Sequence, residues 1–198
     1  MQNLQFPIDF TFKVSSFAND FTATDLSGKT IAYVRQKMLK FKEDIQVFSD
    51  ESKTEVNYAI KADRWLDFSA AYAFYDGSGT YIGKIARKGW RSMWRASYEI
   101  IDQNENHQYS ITEESAMVKV FDSILGQIPI LNIMTGYLFN PSYLVTDLRG
   151  NSILRMKKQA SFFGRRFQLT KEGKMDSDDD DRVMLGCMMM LLLERRRG

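Results

Sequence analysis

Apolar and polar residues alternate along most of the chain, and only three prolines interrupt its 198 residues. The clearest example is the segment from Phe6 to Val14, where every second residue is apolar: Phe6, Ile8, Phe10, Phe12 and Val14. Alternation of this kind is typical of a strand with one buried face. Short turn signals separate further segments with the same pattern, so the sequence predicts a strand-rich protein.

An Asp-x-x-Gly motif recurs three times, at Asp25–Gly28, Asp76–Gly79 and Asp147–Gly150, and each copy is followed by a strand-like segment. In such a turn the Asp carboxylate caps the backbone and the Gly adopts a positive φ. Each copy therefore predicts a strand–turn–strand hairpin. Ser49–Ser52 and Asp102–Asn106 indicate two further hairpin tips.

Each repeated unit is followed by basic residues and then by one more predicted strand. These strands are Asp44–Phe48, Arg95–Ile101 and Arg165–Thr170. The total is about ten to twelve strands in an antiparallel meander, a number that favours a closed barrel over an open sheet.

The run from Val183 to Leu193 does not alternate, because it is apolar throughout except for Gly186. Asp178–Asp181 precede it and Arg195–Arg197 follow it, which matches the charge preference of the two ends of a helix. A helix without a polar face is buried on every side or lies in lipid. At about 16 Å it spans roughly half a bilayer core, so we expect no transmembrane span. We predict a central helix over about residues 179–196.

One interval departs from the strand pattern. Thr112 could cap a helix over Glu113–Leu125, and Gln127–Pro141 is apolar and irregular. We interpret about residues 113–141 as an inserted helix and crossover packed on the barrel. The alternative, that this segment lies on a membrane surface, is less favoured because the segment lacks a basic face. We expect residues 1–198 to form a single domain.

The composition, 44% hydrophobic and 26% charged, is ordinary for a soluble globular protein. The first residues show neither a basic segment nor a long apolar stretch, so we expect no secretory signal and a cytoplasmic location. Cys187 lies inside the apolar run and is expected to fill the core.

Reactive groups are few. The single histidine, His107, lies in a polar run and is expected to be an exposed turn residue. One Cys and one His cannot form a zinc site of the usual composition. The sequence has no Gly-x-Ser-x-Gly elbow and no P-loop, and the glycines of Gly77–Gly83 are spaced one residue too far apart for a nucleotide-binding loop. We therefore expect no enzyme, no catalytic residue and no cofactor.

The acidic run from Asp176 to Asp181 resembles the start of a calcium-binding loop. Its sixth residue is Asp181 instead of Gly and its twelfth is Cys187 instead of Glu, so it is not an EF-hand. Consecutive carboxylates on a helix point about 100° apart and repel one another, so we expect no tight calcium site. A looser site stays open beside the simpler interpretation, a charged helix N-terminus.

Two clusters of basic residues follow the second and third repeats, and both are interleaved with aromatic residues. Gathered on neighbouring strands, such charges suit phosphate groups of lipids or nucleic acid, with Trp and Phe at a headgroup boundary. The alternative interpretation is a solvated outer face. The clusters are Lys84, Arg87, Lys88, Arg91 and Arg95, with Trp90 and Trp94, and Arg155, Lys157, Lys158, Arg165 and Arg166, with Phe162 and Phe163.

A strand-rich chain with Asp-x-x-Gly hairpins that ends in DDDDRVMLGCMMMLLLERRR resembles the LURP-one-related group, which belongs with the phospholipid scramblases and the Tubby C-terminal domain. The resemblance covers roughly Asp20 to Arg197. It implies a twelve-stranded antiparallel barrel around a hydrophobic C-terminal helix, that is, a mainly β fold of the Tubby C-terminal-like type.

The resemblance also carries expectations about function. Tubby domains bind phosphoinositides through basic residues on the barrel, and scramblase relatives associate with membranes and calcium. This chain lacks the palmitoylated cysteine cluster and Pro-rich N-terminal region of the scramblases, which argues against lipid scrambling. The resemblance implies a non-enzymatic binding module, cytoplasmic and peripheral to a membrane, for anionic phospholipid headgroups. The alternatives are a protein-interaction scaffold and, less favoured, nucleic-acid binding.

Charge clustering alone selects the candidate headgroup-binding residues. They are Lys84, Arg87, Lys88, Arg91, Arg95, Lys157, Lys158, Arg165 and Arg166.

Overall fold

A computed structural model describes most of the chain. The described residues are 1, 4–13, 19–37, 44–62, 71–88, 97–114, 141–159, 166–176 and 179–195. Arg91, Arg95, Arg165 and most of the predicted crossover lie outside these ranges.

The described residues form twelve strands and one helix. In chain order these are β1 (Ile8–Phe12), β2 (Phe21–Thr24), β3 (Thr30–Lys37), β4 (Asp44–Phe48), β5 (Val56–Ala62), β6 (Ala71–Asp76), β7 (Tyr81–Arg87), β8 (Ser97–Ile101), β9 (His107–Glu113), β10 (Ser142–Asp147), β11 (Ser152–Gln159), β12 (Arg166–Lys171) and α1 (Asp180–Arg195).

Each strand is antiparallel to the strands before and after it, and β1 pairs with β12. For example, Ile8 of β1 lies opposite Leu169 of β12. This last pairing closes the sheet into a barrel and leaves no unpaired edge. The predicted architecture, a twelve-stranded antiparallel barrel with a C-terminal helix, is confirmed.

The meander divides the barrel into two ends. The turns between β2 and β3, β4 and β5, β6 and β7, β8 and β9, and β10 and β11 all lie at one end, which we name the turn end. The opposite end, where β1, β3, β5, β7, β9 and β11 finish, we name the far end.

The five turns at the turn end share one design. In the turn after β6, the Asp76 carboxylate accepts hydrogen bonds from the backbone N–H groups of Ser78 and Thr80, both at 2.9 Å. The carboxylates of Asp25, Asp102 and Asp147 accept the equivalent pair of bonds. The fourth turn residue has a positive φ in every case: Gly28, Lys53, Gly79, Glu105 and Gly150. All five predicted turns are confirmed.

Each of these hairpins also contains a β-bulge. Phe74 lies opposite Gly83 while Tyr75 lies opposite Tyr81, so Ile82 is an extra residue in the second strand. Such a residue bends its strand and redirects the next side chain. In each hairpin the residue after the extra one faces inward, and these five residues form a collar inside the turn end: Ala32, Tyr58, Gly83, Tyr109 and Leu154.

Helix α1 runs inside the barrel from the turn end to the far end. Every residue from Val183 to Leu192 is buried, and the inner faces of the strands around it are mainly apolar. At Gly186 the helix passes close to β8, because an added Cβ there would come within 2.8 Å of Ile100 Cδ1. The prediction of a buried terminal helix is therefore confirmed.

The sequence interpretation was wrong at the start of the crossover. β9 continues to Glu113, which lies opposite Tyr143 of β10, and Thr112 lies opposite Ser97 of β8. Thr112 therefore pairs within the sheet and does not cap a helix. Residues 115–140, where the rest of that prediction falls, are outside the described part of the chain.

Candidate functional site

Two tyrosines of the collar hold the N-terminus of α1. The Tyr109 hydroxyl donates to Asp179 Oδ2 at 2.8 Å, and the Tyr58 hydroxyl donates to Asp181 Oδ2 at 2.7 Å. Burial, and then the acceptor carboxylate, raises the pKa of both tyrosines. Both hydroxyls thus stay protonated and donate to the helix, an arrangement that stabilises the fold.

The glycine of the collar makes room for an arginine. A Cβ on Gly83, whose φ is 134°, would lie 2.4 Å from the Ile101 carbonyl oxygen and 2.8 Å from Arg182 Cδ. Arg182 forms an ion pair with Asp179 and donates to Gln103 Oε1 at 2.9 Å. Both terminal nitrogens of Arg182 are thereby engaged, whereas its buried Nε has no hydrogen-bond partner among the described residues.

The carboxylates of the acidic run at the start of α1 bind different partners. Asp179 is held by Tyr109 and Arg182, whereas Asp181 is held by Tyr58 and the amino group of Met1. Over the described ranges, no group of three or more His, Cys, Asp or Glu side chains could hold a metal ion. Asp178, part of the predicted acidic run, lies outside those ranges.

The two residues with the most reactive side chains are both in structural positions. The Cys187 thiol is fully buried, which raises its pKa to about 12. His107 is the first residue of β9 and half-buried, with Nε2 at 3.0 Å from both the Tyr109 carbonyl oxygen and Ser110 Oγ. The expectation of an exposed turn residue was therefore wrong for His107, because the turn ends one residue earlier.

The structure describes three residues of the first basic cluster, Lys84, Arg87 and Lys88. Lys84 Nζ lies 2.5 Å from Glu105 Oε2, and Lys88 Nζ lies 2.8 Å from Glu99 Oε1. Arg87 lies opposite the inward-facing Tyr98, so it belongs to the inner face and is half-buried. Lys84 and Lys88 are thus each ion-paired, and Arg87 faces inward, so these three residues do not form a free outer patch.

The second basic cluster contains two exposed cations on the outer face. Lys157 lies opposite Gln168, and Arg166 lies opposite Gln159, so Lys157 and Arg166 are diagonal neighbours about 7–8 Å apart. Both are exposed, and neither forms an ion pair within the described residues. We name these two residues the cation pair.

The other two basic residues of β11, Lys158 and Arg155, are not both exposed and unpaired as the cation pair is. Lys158 lies opposite Phe167 on the inner face and is half-buried. Arg155 pairs with Glu114 and Glu172, and its Nη1 lies 2.5 Å from Glu114 Oε1. Glu172 and then Glu114 raise the pKa of Arg155. Arg155 therefore stabilises contacts across the barrel surface and is not free to bind a ligand.

The architecture defines a class of protein: a closed antiparallel barrel built around a buried C-terminal helix. Residues 30–125 match the family model described as LURP-one-related. The match includes β3 to β9 and the turns at Asp50, Asp76 and Asp102. Comparison with the curated proteins and with the solved structures gave no match.

α1, the one helix in the described part of the chain, is not long and apolar enough to cross a membrane.

Sequence reasoning missed the acidic partners of the first basic cluster. Glu105 occupies the positive-φ position of its turn, where the repeat would have placed Gly, and that exception was the available signal. The ion pair between Lys88 and Glu99 was harder to detect, because it depends on the pairing register of β7 with β8.

Proposed function

We propose that this protein is a non-enzymatic binding module that engages anionic phospholipid headgroups through the cation pair, Lys157 and Arg166. The observation that carries the proposal is that both side chains are exposed, share the outer face of adjacent strands and form no ion pair within the described residues. A phosphate placed between them would receive charge-assisted hydrogen bonds from both.

The surroundings of the cation pair suit a headgroup. The residues directly opposite Lys157 on the neighbouring strands are Ser142 and Gln168, and Arg166 lies opposite Thr11 and Gln159. Ser142 already donates to Glu114 Oε2 at 2.7 Å and Gln168 to Asp9 Oδ1 at 3.0 Å. Thr11 and Gln159 are the uncharged neighbours that remain to donate to a phosphate. Arginine and lysine also differ usefully, because the guanidinium can bind two oxygens while the ammonium acts as a point charge.

The family match and the resemblance support a binding role. The LURP-one-related match is typical of a Tubby-like binding barrel, and Tubby domains bind phosphoinositides through basic barrel residues. Arg91, Arg95 and Arg165 stay predicted headgroup-binding residues. On this proposal the protein is cytoplasmic and peripheral to a membrane.

Vesicle flotation tests the proposal. The protein should float with phosphatidylcholine vesicles that contain phosphatidylserine or a phosphoinositide, and not with phosphatidylcholine alone. Lys157→Ala/Arg166→Ala should bind roughly thirtyfold more weakly, because each cation contributes about 1 kcal/mol near an anionic surface.

The matched control is Lys29→Ala/Arg149→Ala, which removes two positive charges at the turn end. This variant should float as the unaltered protein does. Equal recovery on neutral and anionic vesicles, or equal loss in both double variants, would refute the proposed function.

A further inference from the structure

The outer face of β11, β12 and β1 carries an exposed carboxylate beside the cation pair. Gln168 of β12 lies opposite Lys157 of β11 on one side and opposite Asp9 of β1 on the other. Asp9 is exposed and forms no ion pair within the described residues. Lys157, Arg166 and Asp9 therefore surround Gln168, and we name these three residues the charge triangle.

The register of the sheet sets the dimensions of the charge triangle. Arg166 lies opposite Thr11, two residues along β1 from Asp9. Arg166 and Asp9 are therefore diagonal neighbours about 7–8 Å apart, as Lys157 and Arg166 are. Lys157 and Asp9 are separated by two strand spacings, about 10 Å. In backbone position, the carboxylate is thus closer to Arg166 than to Lys157.

The carboxylate of Asp9 is held in place and keeps one oxygen for a ligand. Gln168 Nε2 donates to Asp9 Oδ1 at 3.0 Å, and no described residue donates to the other oxygen, Oδ2. Two more carboxylates contact the outer face of β11, those of Glu114 and Glu172, but both are ion-paired with Arg155. Asp9 can therefore bind a cationic group that a ligand brings to this face.

We infer that the ligand of the charge triangle is a headgroup with two anionic groups and one cationic group, namely phosphatidylserine in a bilayer. This inference rests on the proposed function and adds the class of headgroup. The phosphodiester lies between Lys157 and Arg166, and further N–H groups of the guanidinium bind the serine carboxylate. The serine ammonium is attached to the same carbon as that carboxylate, so it comes close to Asp9, the neighbour of Arg166.

Other common headgroups match the charge triangle less well. Phosphatidylglycerol has a phosphodiester but no ammonium, so Asp9 gains no partner. Phosphatidylethanolamine has the ammonium but no carboxylate for Arg166. A phosphoinositide carries additional phosphate groups, which Asp9 repels. Of these four lipids, phosphatidylserine alone offers a partner to all three residues.

The exposure of the charge triangle indicates a lipid surface as the source of the headgroup. Exposed ion pairs are individually weak, so a single soluble serine phosphodiester gains little from them. In a bilayer the surrounding anionic lipids add to the attraction of basic residues near the surface. The bilayer therefore fits this surface better than a free compound with the same headgroup.

Vesicles that contain equal mole fractions of phosphatidylserine or phosphatidylglycerol test the headgroup, because both lipids carry the same net charge. The protein should bind the phosphatidylserine vesicles about fivefold more tightly, the effect of one favourable exposed ion pair. Asp9→Asn should abolish this preference without weakening the binding to phosphatidylglycerol. Asparagine removes the negative charge and retains an oxygen that accepts the hydrogen bond from Gln168.

The matched control is Glu55→Gln. Glu55 is exposed in the turn between β4 and β5, outside the charge triangle, and the substitution changes the net charge by the same amount. This variant should keep the preference for phosphatidylserine. An unaltered protein without the preference, an unchanged preference in Asp9→Asn, or its loss in both variants would overturn the inference and leave the proposed function intact. Flotation with neither of these lipids nor a phosphoinositide would refute the proposed function itself.

The soluble headgroup glycerophosphoserine separates the two sources of the ligand. It should release the protein from phosphatidylserine vesicles, whereas glycerophosphoglycerol at the same concentration should not. Equal release by the two compounds would contradict the recognition of serine. Saturable binding of glycerophosphoserine to a protein that does not float with phosphatidylserine vesicles would identify a soluble ligand and overturn the assignment of the bilayer.

Discussion

In the five turns, residues with different side chains adopt the same positive-φ conformation. Three turns use Gly, which adopts a positive φ at no steric cost, whereas Lys53 and Glu105 adopt φ values of 57° and 67°. Both make contacts that a Gly could not make. Lys53 Nζ lies 5.1 Å from the centroid of the Tyr33 ring, and Glu105 accepts a hydrogen bond from Lys84.

At these positions a Gly variant should be more stable than an Ala variant, which is the reverse of the usual order. Gly79→Ala should lower the free energy of unfolding by about 1 kcal/mol, because an added Cβ meets no atom within 4 Å but strains a φ of 86°. For the same reason Lys53→Gly should be more stable than Lys53→Ala by about 1 kcal/mol. Leu148, which has no positive φ, is the control, and there Ala should be at least as stable as Gly. Urea unfolding of the variants measures the differences.

The ionised carboxylate of Asp180 destabilises the folded state. Burial raises its pKa and outweighs the lowering effect of Lys171 and the Met1 amino group, and the carboxylates of Asp181 and Asp179 raise the pKa further. A carboxyl with a raised pKa in the folded state binds its proton more tightly than in the unfolded state, so stability falls as pH rises above the unfolded pKa and levels off above the folded pKa. Asp180→Asn should therefore increase the melting temperature at pH 7. The difference should vanish below about pH 3.9, where an unfolded aspartate is protonated. A lower melting temperature at pH 7 would mean that the helix dipole outweighs these effects.

The hairpins were the most predictable elements. The strand predicted over Asp44–Phe48 has those bounds in the structure, and the Asp-x-x-Gly motifs identified three turns directly. A local signal sufficed because the capping Asp and the positive-φ Gly lie within four residues of each other. The buried helix was predictable for a different reason, since an apolar run without a polar face has few alternatives.

Contacts between elements were not predictable from the sequence. The bonds from Tyr58 to Asp181 and from Tyr109 to Asp179 join residues 123 and 70 positions apart. Each depends on the bulge that turns its tyrosine inward, and no local motif marks those bulges. The sequence identified Lys157 and Arg166 as basic. Only the strand register shows that they lie together on the outer face, whereas Lys84 is ion-paired with Glu105.

The hydrogen bond from Tyr109 to Asp179 attaches β9 to the start of the helix and should contribute to the free energy of unfolding. Tyr109→Phe should lower the free energy of unfolding by about 1.5–3 kcal/mol, because a hydrogen bond to a buried carboxylate is lost. Tyr75→Phe is the control and should change it by less than about 0.5 kcal/mol, since the Tyr75 ring packs on the outer face. Chemical unfolding at pH 7 separates the two variants.

The same tyrosine predicts a response to alkaline pH. Its pKa is raised in the folded state, so its contribution is present below the pKa of an unfolded tyrosine, about 10, and is lost as pH rises above that value. Stability should therefore fall above about pH 10, and less steeply in Tyr109→Phe. Identical slopes for the variant and the unaltered protein would show that Tyr109 is not protected from ionisation.

At the scale of the whole molecule, the barrel and the helix share one core. The inward residues of all twelve strands pack around α1, and Val183, Met184, Leu185, Met188, Met189 and Met190 are each 0% exposed. Neither part can bury its apolar surface without the other. The strands and the helix should therefore unfold together in one cooperative transition.

A single charge in the middle of the helix tests this dependence. Met189→Asp should cost several kcal/mol, because Met189 is 0% exposed and a carboxylate there would have neither water nor a cationic partner among the apolar inner residues. Leu148→Asp introduces the same residue at a site 68% exposed and should change the stability by less than about 0.5 kcal/mol. Circular dichroism melts of both variants, followed at wavelengths that report on strand and on helix, give the comparison. If Met189→Asp melts like the unaltered protein, or loses helix signal while the strands still melt cooperatively at the original temperature, then the barrel closes without its helix and the shared core is refuted.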